Sequence, residues 1–273
     1  MLAYEFMRTA FMAAFLVSLV CGPVGWFLVL RGQSFASHAL AHVGFAGAAA
    51  ALLVGMPALA GFGGGAVLGG VAMGLAGQRA LGRDVVIGLV LSLALGVGAL
   101  CLHFLTRSAG AATSLLFGDI LGISAGTLWG LGGLSLLCLS GLAVLARPLL
   151  FASLQPDVAE ARGVRLRLLD VLFLSLVALA TAECAQITGV LLVFTLMIAP
   201  AAATLRLGFG PMTGMASAAL LALAEAWAGL ALSWQTGWPA VFWIAALGCA
   251  AFAASCLLSR LLAGRSVAVL TTP

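Results

Sequence analysis

The sequence contains no lysine; all twelve of its basic side chains are arginine. A phosphate-binding loop of the Walker type needs a lysine after its glycines, so the chain cannot carry that ATPase motif. Charge of either sign is scarce, at 7% of 273 residues. A soluble domain of this length could not cover its surface with so little. Paired cysteines are missing too. Cys21, Cys101, Cys138, Cys184, Cys249 and Cys256 are scattered, mostly inside apolar runs, and no C-x-x-C occurs. Neither a zinc ribbon nor a disulfide framework is indicated, and the cysteines read as buried small hydrophobes. The first apolar run ends without a small-residue cleavage site, so a retained span is expected rather than a signal peptide.

What is present is apolar mass. AVILMFWYC residues make up 64% of the chain before its 35 glycines are counted, so the solvent over most of the length must be lipid. Polar breaks leave nine apolar runs: Arg8 to Leu30, Phe35 to Val54, Pro57 to Gly77, Val85 to Leu105, Ala125 to Ala146, Leu169 to Ile187, Gly189 to Leu207, Pro211 to Trp234 and Trp238 to Leu262. Each is near the ~20 residues that cross ~30 Å of hydrocarbon as a helix. The expected fold class is an all-α membrane protein, a polytopic bundle of about nine transmembrane helices forming one transmembrane domain over residues 1–273.

The arginines orient the bundle. With the amino terminus outside, the inner loops and tail hold Arg31, Arg79, Arg83, Arg147, Arg162, Arg165, Arg167, Arg206, Arg260 and Arg265, against Arg8 and Arg107 outside. That bias follows the positive-inside rule and favours an odd number of spans. A net charge of +4 spread this thinly marks juxtamembrane loops rather than a nucleic-acid surface. Trp234 and Trp238 bracket an Arg-free turn, as interfacial anchors do. In the third run Gly61, Gly65, Gly69, Gly70 and Gly74 fall at spacings that let helix backbones approach closely. Pro23 and Pro200 sit inside spans, where each removes a backbone donor.

Arg147 to Asp170 is the longest stretch unfit for lipid. Within it Pro156-Asp157-Val158-Ala159-Glu160-Ala161-Arg162-Gly163 reads as a short helix, opened by Pro, with acids first, Arg last and a terminating Gly. Val158, Ala161 and Leu154 offer a small apolar face. Two readings stand: an interfacial connector, or a docking helix for a cytoplasmic partner.

The segment from Phe151 through Gln155-Pro156-Asp157-Val158-Ala159-Glu160-Ala161-Arg162-Gly163-Val164 to Leu168-Leu169-Asp170 resembles the coupling loop of the membrane subunits of bacterial zinc, manganese or iron ABC importers. Gly189-Val190-Leu191-Leu192-Val193 and Ile198-Ala199-Pro200-Ala201-Ala202 are similar to that family's "GVLLV…PAA" helix, and Leu116-Phe117-Gly118-Asp119-Ile120-Leu121 to its "LFGDIL" element. The resemblance implies a permease with no permanently bound cofactor, met by a cytoplasmic ABC ATPase that alone handles ATP. It further implies an extracytoplasmic metal-binding protein, a permease homodimer and residence in the bacterial inner membrane. Gln155, Pro156, Asp157, Val158, Glu160, Arg162 and Gly163 would then receive the push from the ATPase. Asp119 would lie at the entrance or contact the binding protein, the other reading being an acid that stabilises a helix N-terminus.

Metal ligands are sought on the second span. His38 and His42 are four apart and share one helix face; two imidazoles so placed can hold a divalent transition metal. His42 falls about 10–15 Å past the inner end of its span. The other reading is structural, with both rings hydrogen-bonded to neighbours. The resembling family usually shows "GDALSH" here; this chain has Ser37 and His38 where Gly and Asp are expected. Exchanging a carboxylate for an imidazole favours Zn²⁺ over Mn²⁺. Glu183 and Glu225 are acids deep in apolar runs, either contacts for a passing cation or protonated acids bonded to a nearby Ser, Thr or Trp. Asp84 and Asp170 look like helix caps, and His103 like interfacial packing.

Gly122-Ile123-Ser124-Ala125-Gly126 fits the hydrolase elbow G-x-S-x-G, but that motif needs a preceding strand, so the match reads as chance. Three function classes follow: a metal importer's permease, a secondary carrier using Glu183 and Glu225, and an intramembrane protease using Ser124 with His103. The first is favoured.

Overall fold

The computed structural model describes residues 4–76, 83–105, 116–118 and 120–270; the sequence expectations for Arg79, Arg107 and Asp119 fall outside them. The helices are α1 (Glu5–Leu30), α2 (Ser34–Leu53), α3 (Ala58–Ala76), α4 (Arg83–Phe104), α5 (Ala125–Leu154), α6 (Pro156–Ala161), α7 (Leu166–Thr188), α8 (Val193–Arg206), α9 (Pro211–Thr236) and α10 (Ala240–Leu270). A 3-10 turn, Ile120–Gly122, precedes α5. Eight of these are long and apolar enough to cross a membrane, and α8 is a shorter apolar helix. No strand occurs among the described residues.

α1, α2 and α7 are the most buried helices, and α4, α5 and α10 the most exposed. On one side α2 packs on α3 and α4, and α3 on α7; on the other, α8, α9 and α10 pack on each other, and α8 and α9 on α1. The glycine run of α3 divides its work between two neighbours. A Cβ on Gly61 would lie 2.4 Å from the Gly47 carbonyl of α2, and one on Gly70 would lie 2.7 Å from the Leu174 carbonyl of α7. Gly65 and Gly69 likewise face α2, and Gly74 faces α7. Backbone contact this close replaces the hydrophobic drive that lipid does not supply.

Two boundaries differ from the sequence reading. α5 runs on to Leu154 rather than stopping at Ala146. Its buried stripe of Cys138, Leu142, Leu149 and Ala152 continues past the exposed Arg147, so the helix keeps a packed face where composition suggests a loop. With α7 starting at Leu166, the polar connection shrinks to residues 155–165. The seventh apolar run is also shorter than expected. Gly189 takes a φ of +68° and ends α7, and the helix resumes only at Val193. At 14 residues α8 rises about 21 Å, less than the ~30 Å of a bilayer core.

The break at Gly189 is held from outside. Gly118, at φ +74°, lies against it: a Cβ on Gly189 would fall 2.3 Å from the Gly118 nitrogen, and one on Gly118 would fall 2.6 Å from the Gly189 nitrogen. Both positions need glycine for the backbone angle and for the contact. Leu191 N–H donates to the Leu116 carbonyl at 3.4 Å. Non-helical backbone at membrane depth is tolerated only where protein covers it, and the buried Val190 meets that condition. The "LFGD" and "GVLLV" segments therefore touch.

Candidate metal path and docking helix

α2 opens one turn after α1 ends, and its early residues carry the histidines. The His38 and His42 rings stand 4.7 Å apart between centroids, at 80° to one another. Phe35 lies 5.8 Å from His38 on the same helix, and Phe194, in the first turn of α8, lies 6.1 Å away edge-on. The pair thus faces the start of the short helix. His42 is 7% exposed, and its Nδ1 is buried with no hydrogen-bond partner. An orphaned imidazole nitrogen is costly to bury. The structural reading of the pair, which required both rings to be satisfied by neighbours, is not supported at His42.

Neither acid joins the histidines. Among the described residues, no group of three or more His, Cys, Asp or Glu side chains is placed to hold a metal ion. Glu183 is fully buried in α7 and accepts a hydrogen bond from the Ser135 hydroxyl of α5, with Oε2 unpartnered. Glu225 of α9 is 3% exposed with neither oxygen partnered. It points toward Gly248 of α10, where a Cβ would lie 3.2 Å from Oε2 and also within 3.3 Å of α8 atoms of Thr195 and Ala199. The two carboxyls occupy separate helix junctions. Cys21, Cys101, Cys138 and Cys184 are buried as expected, but Cys249 is exposed.

The polar connection folds as the sequence reading describes. Pro156 opens α6, and its end is a Schellman motif: Gly163, at φ +86°, donates to the Glu160 carbonyl at 2.9 Å, and Val164 to the Ala159 carbonyl at 3.0 Å. Ala159 is the residue buried against the bundle, while Leu154, Val158 and Ala161, the expected apolar face, point outward. Gln155, Pro156, Asp157, Glu160, Arg162 and Gly163 are exposed with them. Beside the helix a groove of about 650 Å³ opens between Leu75 of α3 and Glu160, Gly163, Arg165 and Arg167.

Ser124 has a structural partner in Thr127. It is the N-cap of α5, its hydroxyl accepting from Thr127 N–H at 3.2 Å and pairing with the Thr127 hydroxyl at 2.9 Å. His103 is exposed beside Phe104, 5.5 Å away between ring centroids.

Residues 3–259 match the family described as the ABC 3 transport family. The chain belongs to it.

Among curated members, the chain is 29% identical over 238 residues to the manganese transport system membrane protein MntC of Halalkalibacterium halodurans, spanning 85% of this chain and 80% of that one. It is 32% identical over 235 residues to a "Probable metal transport system membrane protein" of Treponema pallidum, spanning 86% and 88%. In three dimensions this ABC 3 chain superposes on PsaBC from Streptococcus pneumoniae, solved in complex with Fab, at a TM-score of 0.83 and 23% identity, covering 92% and 91% of the two chains.

One cluster in this ABC 3 chain escaped the sequence reading. Asp170 is not a cap: it lies a full turn inside α7, 3% exposed, and pairs with the Arg31 guanidinium at the end of α1. Arg31 also donates to the Ser153 hydroxyl of α5 at 3.2 Å and stacks 5.6 Å over the Phe173 ring. The available signal was an Asp and an Arg, each at the rim of an apolar run and directly after a leucine.

Proposed function

We propose that this chain is the permease subunit of an ATP-binding-cassette importer for a divalent transition-metal ion. The observation that carries the reading is the His38–His42 pair, with the buried, unpartnered Nδ1 of His42. Two imidazoles in contact present nitrogen donors to a cation passing along α2, and water or a facing helix completes the coordination. A site with so few protein ligands holds weakly, which suits transport because the ion must leave again. The names of the related proteins support a metal cargo. With His38 at the position where the family usually shows Asp, the donor set favours zinc over manganese or iron. Glu183 and Glu225 would act at their own positions along the path rather than in the same coordination shell.

The chain supplies no engine. A cytoplasmic ABC ATPase docks on α6 through Gln155, Pro156, Asp157, Val158, Glu160, Arg162 and Gly163, whose outward-facing side chains and neighbouring groove support the assignment. Two copies of the permease line the path, and an extracytoplasmic metal-binding protein delivers the ion, with Asp119 at the entrance. The protein resides in the bacterial inner membrane with the amino terminus outside and the carboxyl terminus inside, as the arginine distribution supports.

A second reading, a gradient-driven carrier, is favoured by one observation: the two unpartnered oxygens of Glu225. One experiment separates the two. The chain is reconstituted in vesicles with and without the ATPase, and radioactive zinc uptake is followed. ATP-dependent accumulation that needs the ATPase is expected; uptake by the chain alone, driven by a proton or sodium gradient, would refute the importer.

A further inference from the structure

We infer that Arg31 is the joint through which movement of α6 reaches the metal-binding helix α2; the inference rests on the importer reading above. The guanidinium grips the chain on both sides of α6. Ser153 stands two residues before Gln155, and Asp170 follows the end of α6 by nine residues. The Ser153 hydroxyl donates onward to the Leu149 carbonyl at 2.5 Å, which fixes its lone pairs toward Arg31. The whole cluster is sheltered, the ionic side chains being 5% and 4% exposed, and Phe173 closes it from the core side.

The other end of the joint has no slack. Arg31 N–H donates to the Phe27 carbonyl at 3.0 Å, Gly32 to Val29 at 3.0 Å and Gln33 to Leu28 at 2.8 Å, so the turn out of α1 is stitched to α1 itself. α2 begins at Ser34, and His38 is on its second turn. Only six residues, the turn Gly32–Gln33 and the first four of α2, therefore separate Arg31 from the first histidine. α6 itself buries only Ala159, so its own packing gives it little purchase on the bundle. The Arg31 fork is a polar link that joins both flanks of α6 to the turn between α1 and α2.

Stability alone does not call for this arrangement. Apolar residues of similar volume commonly serve a buried position as well as an ion pair does. A planar guanidinium, by contrast, holds Ser153 and Asp170 through two different nitrogens at a fixed spacing, a geometry that the single nitrogen of a lysine ammonium on its flexible stem does not reproduce. Arg31 is thus a positioning residue, touching no cargo.

The test uses this chain together with its ATPase in lipid nanodiscs. Amide hydrogen exchange over residues 34–42 is compared with and without the ATPase, where docking is expected to change the rate by about threefold or more. In Arg31→Lys and in Ser153→Ala that response is expected to fall to less than about half. Zinc moved per ATP hydrolysed should fall by about fivefold, while hydrolysis itself stays within about twofold. An undiminished exchange response in both variants overturns the joint. Failure of the unaltered chain to retain the ATPase overturns the importer reading itself and the joint with it, so the two failures are told apart.

Discussion

Two polar regions of this molecule are buried to a similar degree and built on opposite terms. At the α6 end, Arg31, Asp170 and Ser153 answer one another's hydrogen-bonding needs within a single cluster. Deeper in the bundle, His42 Nδ1, Glu183 Oε2 and both oxygens of Glu225 have no partner. Burying a polar group without a partner costs stability, whereas a paired one roughly breaks even. Under the proposed function, the satisfied cluster is architecture that transmits force, and the unsatisfied groups are positions for a cation that comes and goes.

The contrast predicts which variants lose the fold and which lose only transport. The largest effect is expected from Arg31→Ala, which strands the Asp170 carboxylate and should destabilise by about 3–5 kcal/mol, read as thermal unfolding in detergent. Pairing Arg31→Met with Asp170→Leu should restore most of that loss; a single variant as stable as the parent would erase the distinction. Next is His42→Ala, expected to lower zinc uptake by about tenfold or more while stability moves by less than about 1 kcal/mol. Loss of folding together with uptake would return the pair to a structural role. Val158→Arg, on the outward face of α6, should leave the bundle intact and reduce transport per ATP by about fivefold, which a coupled uptake and hydrolysis assay would show. The smallest change is expected from Glu225→Gln. With no hydrogen bond to lose, its unfolding should shift by less than about 1 kcal/mol, and a shift beyond about 2 would reveal a partner to the carboxyl.

Much of the fold was legible because lipid writes its demands in composition: nearly every span, the close-packing glycines of α3 and the Pro-to-Gly frame of α6 follow from apolar length and backbone rules. The misreadings share a cause. Ala146 looked like an end because Arg147 follows it, yet the buried stripe through Leu149 and Ala152 continues the helix. Gly189 to Leu207 looked like a full span because hydropathy does not register a positive φ. In the candidate site the histidine pair was legible from its i, i+4 spacing, which a helix enforces. The burial of Ala159 and the pairing of Asp170 were not, since one depends on the way a six-residue helix seats against the bundle and the other on a neighbour more than a hundred residues distant. Ser124 shows the converse: a motif that fits on paper is spent on capping a helix.

The unexpected length of α5 has a consequence for assembly. Thirty residues rise about 45 Å, comparable to the ~40–45 Å of a bilayer with its headgroups included. Set across the membrane under the importer reading, a helix of that length would carry α6 out to the watery edge of the lipid, where a soluble partner could close on it without displacing acyl chains.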